Sequence, residues 1–97
     1  MNQMICSAIH SKQVIRFYYN GGFRTVEPFC YGVSTTGHEV LRGYQTGGHS
    51  GSGDPMGWKL FRVSEIASLT ITNGHFDTIR PGYNPNDPAM TTIYCHV

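Results

Sequence analysis

Residues 13–22, QVIRFYYNGG, decide how this chain is read. Val14, Ile15, Phe17, Tyr18 and Tyr19 are β-branched or aromatic residues in a run too short for a typical helix, which marks a strand. Asn20-Gly21-Gly22 behind them accepts the positive φ angles of a two-residue hairpin turn, so the strand reverses into a second one.

Working outward, the second strand is predicted from Phe23 towards Val33, with Pro28 implying an edge or a bulge because proline lacks the N–H that a ladder needs. Thr35-Thr36-Gly37 turns the chain into a third strand over Glu39 to Gln45. The stretch TGGHSGSGDPMG that follows is too rich in glycine for regular structure and is read as the most mobile part, a flexible hairpin or a lid over a ligand. Strands four and five are expected over Trp58–Val63 and Ala67–Thr72, with Ala67, Leu69 and Ile71 facing inward. Upstream, Met1, Met4, Ile5, Ala8 and Ile9 recur at helical spacing, and Asn2 caps a helix ending at Ser11. Downstream, RPGYNPNDPAM holds three of the five prolines and is read as irregular, with a short last strand over Thr91–Cys95.

One helix and about five sequentially turning strands give a mainly β fold, a small five-stranded barrel with one N-terminal helix over an open end. With 97 residues the chain is one domain, the barrel over residues 1–80 and a Pro-rich tail over 81–97. The charged share of 13% and hydrophobic share of 39% exclude a disordered chain. No stretch approaches the roughly 20 apolar residues of a membrane span.

The net charge of +1 announces no polyanion partner, but Lys12, Arg16 and Arg24 are the only charges before Glu27. If Ile15, Phe17, Leu41, Phe61 and Val63 point inward, alternation sends Arg16, Tyr18, Arg42, Tyr44 and Arg62 outward onto one surface. Guanidinium groups beside ring faces suit single-stranded nucleic acid, unless the tyrosines only pack at a barrel rim. Lys59 shares the inward parity of Phe61, so strand four should bend there and bring its ammonium to the barrel mouth. Trp58 is read as a core anchor rather than a stacking platform. Cys6, Cys30 and Cys95 are odd in number and lack C-x-x-C spacing, which reads as free thiols of a cytoplasmic protein. The five histidines with these cysteines lack the paired spacing of a zinc site, and Ser64, Glu65 and His75 form no nucleophile motif. No cofactor and no enzyme activity are expected.

The segments AIHSKQVIRFYYNGGFRTVEPFCYG, GHEVLRGYQ and WKLFRVSEI, with the Phe76 region, resemble the WYL domain family across residues 5 to 80. Arg24, Val26 and Pro28 match its R-x-V-x-P element, Glu39-Val40-Leu41 its naming strand, and Lys59, Phe61 and Arg62 its basic-x-Phe-Arg element. Glu39 and Val40 stand where the family name has Trp and Tyr, and Glu65 where a basic residue is usual. The resemblance implies an Sm-like barrel and a non-enzymatic ligand-sensing domain, accessory to bacterial transcription or defence regulation. It implies a nucleic-acid or nucleotide ligand and favours Lys59 as a contact, beside Arg16, Tyr18, Arg42, Tyr44 and Arg62. With no helix-turn-helix ahead of the barrel, a solitary sensor or accessory subunit is expected. The alternative is a protein-interaction or oligomerisation module, in which the tail from Pro81 to Val97 pairs with a strand of a regulator protein or a second copy.

Overall fold

The structure, a computed structural model, describes residues 1–51 and 53–97. Helix α1 (Gln3–Ser11) starts where the Asn2 side chain accepts the Ile5 N–H and ends at Lys12, whose φ of 53° is left-handed. Its apolar stripe of Ile5, Ala8 and Ile9 is buried. Six strands follow: β1 (Gln13–Tyr19), β2 (Gly22–Ser34), β3 (Glu39–Gly48), β4 (Gly57–Arg62), β5 (Ala67–His75) and β6 (Met90–His96). Asn20 and Gly21 both have positive φ, as the β1–β2 hairpin requires.

All pairings are antiparallel and form one sheet in the order β4-β3-β2-β1-β5. The 13-residue β2 has β3 along one edge; on the other it pairs with β1 up to Val26 and with β6 from Cys30 onward. The fold is therefore mainly β with one helix, and the described residues hold the five expected strands plus the short last one of the tail, all in one sheet. Among the described residues β4 and β5 share no ladder, so the sheet is not closed by hydrogen bonds. A 3₁₀ turn (Val63–Glu65) joins them, and the Tyr19 hydroxyl accepts the Arg62 N–H at 3.0 Å across the seam.

Alternation holds through the inner layer, where Ile15, Phe17, Val26, Tyr31, Leu41 and Phe61 meet α1 in one core. It fails at two places. Ala67 is exposed although Leu69 and Ile71 pack inward, because the register slips beside Ser68, whose φ is 54°. In β2 the register shifts between Pro28 and Cys30, and every residue from Val26 to Gly32 is buried. Phe29 is thus the bulged residue of a central strand, with Pro28, still opposite Gly43, directly before it. That strand is covered on its outer face as well, by residues 76–89 folding back across it.

Three further expectations are corrected. Thr46, Gly47 and Gly48, assigned to the glycine loop, extend β3, since Gly47 and Gly48 pair with Thr25 and Arg24. Ser52 of that loop lies outside the described residues. The tail strand pairs with β2 of its own chain rather than waiting for a neighbour. Cys6 and Cys95 form a disulfide, with their Cα atoms 5.8 Å apart, and only Cys30 is free. Packing of α1 against β6 brings together two cysteines 89 positions apart, which spacing rules cannot see. The expectation of a reducing compartment loses the support of three free thiols. No helix among the described residues is long and apolar enough to cross a membrane.

Candidate functional site

Arg42 and Tyr44 are successive outward positions of β3. Arg42 lies between Cys30 and Leu60 on the flanking strands, and Tyr44 between Glu27 and Trp58. Segment 76–89 lands on this face through two ion pairs. Arg80 donates to Glu27 from Nε at 2.8 Å and from Nη2 at 2.9 Å, and Arg42 Nε donates to Asp87 at 2.7 Å. Burial works against the Asp87 carboxylate, but hydrogen bonds from Arg42 and the Ala89 N–H prevail and hold it below the usual carboxylate range.

Between these clamps lies an aromatic layer. Phe29 has Trp58, Phe76 and Tyr83 around it at ring-centroid distances of 5.0, 5.0 and 5.2 Å. Trp58 meets the Tyr44 ring edge to face, and its Nε1 donates to the Pro81 carbonyl at 2.8 Å. Gly82 adjoins that bond with a φ of 89°, and a Cβ there would press on Trp58 Nε1, so glycine suits the position twice over. Burial pushes the Tyr83 phenol up to about 12, and its hydroxyl donates to the Val97 carbonyl.

The layer opens into a cleft of about 260 Å³, lined by Arg42, Trp58, Gly82, Tyr83, Asn84 and Asp87. Arg42 gives Asp87 two of its five N–H donors, at 2.7 and 3.4 Å, and the other three have no partner among the described residues. The wall therefore combines ring surface, a half-used guanidinium and an amide.

No family model, curated protein or solved structure matches the chain. What the cleft displays is a donor-rich rim beside aromatic faces, a chemistry suited to a planar ligand bearing acceptors or negative charge.

The other expected contacts lie elsewhere. Arg16 and Tyr18 occupy the outer face of β1, where the Arg16 guanidinium stands 4.0 Å over the Phe23 ring and the exposed Tyr18 meets Phe23 edge to face. Arg16 pairs with Thr25 and Arg42 with Cys30, so this patch and the cleft are five positions apart along β2. Lys59 lies opposite Gly43, half-buried, and its Nζ donates to the Asp54 carbonyl at 2.9 Å. Arg62 is exposed, 3.8 Å from Glu65, on a separate open groove that includes Tyr19 and His38. Among the six expected residues, then, only Arg42 lines the cleft, with Tyr44 behind Trp58. Tyr83, Asp87, Glu27 and Arg80 were not foreseen, although Glu27 has the outward parity of its strand. Among the described residues no three His, Cys, Asp or Glu side chains are placed to hold a metal ion.

Proposed function

We propose that this chain is a non-enzymatic binding module of the Sm-like, WYL-like kind, taking a nucleotide or one unit of a single-stranded nucleic acid in the outer cleft. The observation that carries the reading is the set of unused Arg42 donors beside the Trp58 and Tyr83 rings. A base stacked on such a ring contributes roughly 1–3 kcal/mol, and a guanidinium recognises phosphate in the same plane. At about 260 Å³ the cleft is smaller than the usual ligand site of about 300 Å³ or more, which favours one base over an extended strand. The Arg16, Tyr18 and Phe23 patch offers a second stacking surface for neighbouring units, with Lys59 and Arg62 adding positive charge from other faces.

Sensing rather than catalysis fits the groups present. The Asp87 carboxylate is committed to Arg42 and Ala89, and the Tyr83 phenol is held protonated, so neither serves as a base near neutral pH. A role beside a bacterial transcription or defence regulator follows from the WYL resemblance. A cytoplasmic location, where such a regulator works, makes the Cys6–Cys95 bond conditional on oxidation. The exposed Tyr18 and Phe23 favour the second reading, an interaction module, in which that patch meets another protein.

Binding of short single-stranded oligonucleotides over a salt series tests the proposal. Arg42→Lys should weaken binding by removing the planar fork, whereas Tyr18→Ala should matter only for strands longer than one unit. Absence of binding at low salt, together with a concentration-dependent size in solution, would favour the interaction module instead.

A further inference from the structure

Residues 76–97 are attached to the sheet differently from the rest of the chain. β6 lies off the path β4-β3-β2-β1-β5 and pairs with β2 alone, through a ladder whose register slips twice within five pairs. Of its seven residues only Met90 and Cys95 are buried. The residues just before it, 76–89, cross the outer face and supply Tyr83, Asn84 and Asp87 to the cleft wall. That wall is therefore placed in part by whatever holds β6.

Cys95 is the point of hold. Its disulfide fastens it to Cys6 of α1, and α1 has a seat of its own, with Ile5, Ala8 and Ile9 buried in one core with Ile15, Phe17 and Tyr31. With the bond made, residues 76–94 form a loop pinned at the end of β5 and at Cys95; with it broken they are a tail pinned at one end only. A free end gains more conformations on lifting than a closed loop does, so the same ion pairs and ring contacts hold it less firmly. The two sulfurs differ in access, since Cys6 is half-buried on the helix and Cys95 is buried.

We infer that the Cys6–Cys95 disulfide is a redox latch on the outer cleft. Oxidised, it holds residues 76–97 against β2; reduced, it lets them lift while α1 and strands β1 to β5 stay folded. The reductant is a dithiol. One of its thiolates attacks Cys6 Sγ, the S–S bond breaks and Cys95 leaves as a thiolate; the second thiolate of the reductant then displaces Cys6. Two electrons pass, the reductant ends as a disulfide, and its two protons end on Cys6 and Cys95. Cys30 takes no part, because it sits in a separate buried cluster with Val40 and Met90. Lifting removes Tyr83 and Asp87 from the cleft, and the loss of affinity that follows rests on the nucleotide reading of that cleft, whereas the latch itself does not.

Amide hydrogen exchange of the full chain, oxidised and in dithiothreitol, without nucleotide, tests the latch. The probes are the Ala89, Met90 and Val97 N–H groups, which donate to Asp87 Oδ1, the Asp87 carbonyl and the Phe29 carbonyl. Reduction should speed their exchange by roughly thirtyfold or more, while amides of β1 and β3 keep their protection. Cys6→Ser with Cys95→Ser should show the fast exchange without reductant and no further response to it, and Cys30→Ser should respond as the parent does. If the double variant does not fold, the reduced parent decides alone. Equal exchange in the two redox states would overturn the latch, and so would loss of protection in β1 and β3 together with the tail, which would make the bond a staple of the whole fold. Nucleotide titration of both states, read by Trp58 emission, separates the two claims. A tail that loosens in a chain that binds no nucleotide keeps the latch and removes the ligand reading; equal binding in both states would deny the latch its control of the cleft.

Discussion

The Asp87 carboxylate lies 2.7 Å from Arg42 Nε with its side chain only 6% exposed, so the last irregular segment is clamped to the middle of the sheet by a largely desolvated pair. Its folded-state pKa is lowered, so the pair stabilises the fold above the unfolded value of about 3.9 and ceases to do so as pH falls through the folded value. Glu39 behaves in the same sense, held low chiefly by the Tyr31 hydroxyl and also by Tyr94 and the N-terminal amine. Stability should therefore be flat from neutrality to about pH 5 and fall below about pH 4. Asp87→Asn should cost about 1–3 kcal/mol at pH 7 and reduce the acid-side loss. Denaturant melts of both chains at pH 7 and pH 3 provide the check, and equal acid sensitivity would deny the clamp its role.

Joining Cys6 to Cys95 closes nearly the whole chain into one loop, with a separation of 89 residues. Such a crosslink restricts the unfolded ensemble and is worth about 2–5 kcal/mol. Reduction, or Cys6→Ser with Cys95→Ser, should lower stability by that amount, and the denatured oxidised protein should titrate one thiol, that of Cys30. Three titratable thiols before any reductant is added would contradict the bond.

Leu41 and Phe61 face each other across β3 and β4 and are buried in the α1-capped core. Changing either to Ala should cost about 2–5 kcal/mol, because a core this small has little freedom to collapse around the void. A loss below about 0.5 kcal/mol for both would mean that the inner face is wrongly assigned.

Much of this sheet can be read from residue order. The alternation of QVIRFYY, the Asn20-Gly21 turn and the alternating β5 are local signals, and the structure has strands at these places. The disulfide, the bulge at Phe29 and the second layer are not local. Phe29, Trp58, Phe76 and Tyr83 meet only because residues 76–89 return across β2, and nothing in the spacing of four aromatic residues announces that. Alternation places Arg42 and Tyr44 on the outer face of β3, where they lie, but says nothing of what then covers them. The partners Asp87 and Glu27 come from 45 residues downstream and from the adjacent strand.

Charge bookkeeping at the surface changes accordingly. Arg42 is already matched by Asp87, while Arg16 has, among the described residues, the Phe23 ring and no carboxylate. For a single-stranded oligonucleotide long enough to reach both patches, Arg16→Gln should flatten the log-log salt dependence by about 0.7, the value for one phosphate. Tyr18→Ala should weaken binding with the slope unchanged, because stacking releases no counterions. A salt slope unaffected by Arg16→Gln would remove the β1 face from the binding surface.

Trp58 is the chain's one tryptophan and forms a wall of the cleft, stacked on Tyr83 with ring planes 20° apart. Its fluorescence during titration with mononucleotides is the most direct test of the outer cleft as a nucleotide site. Saturable quenching is predicted, lost on Arg42→Lys and absent with ribose 5-phosphate, which has the phosphate but no base to stack. Emission that stays constant through millimolar nucleotide, in protein that is folded by the same melts, would contradict it.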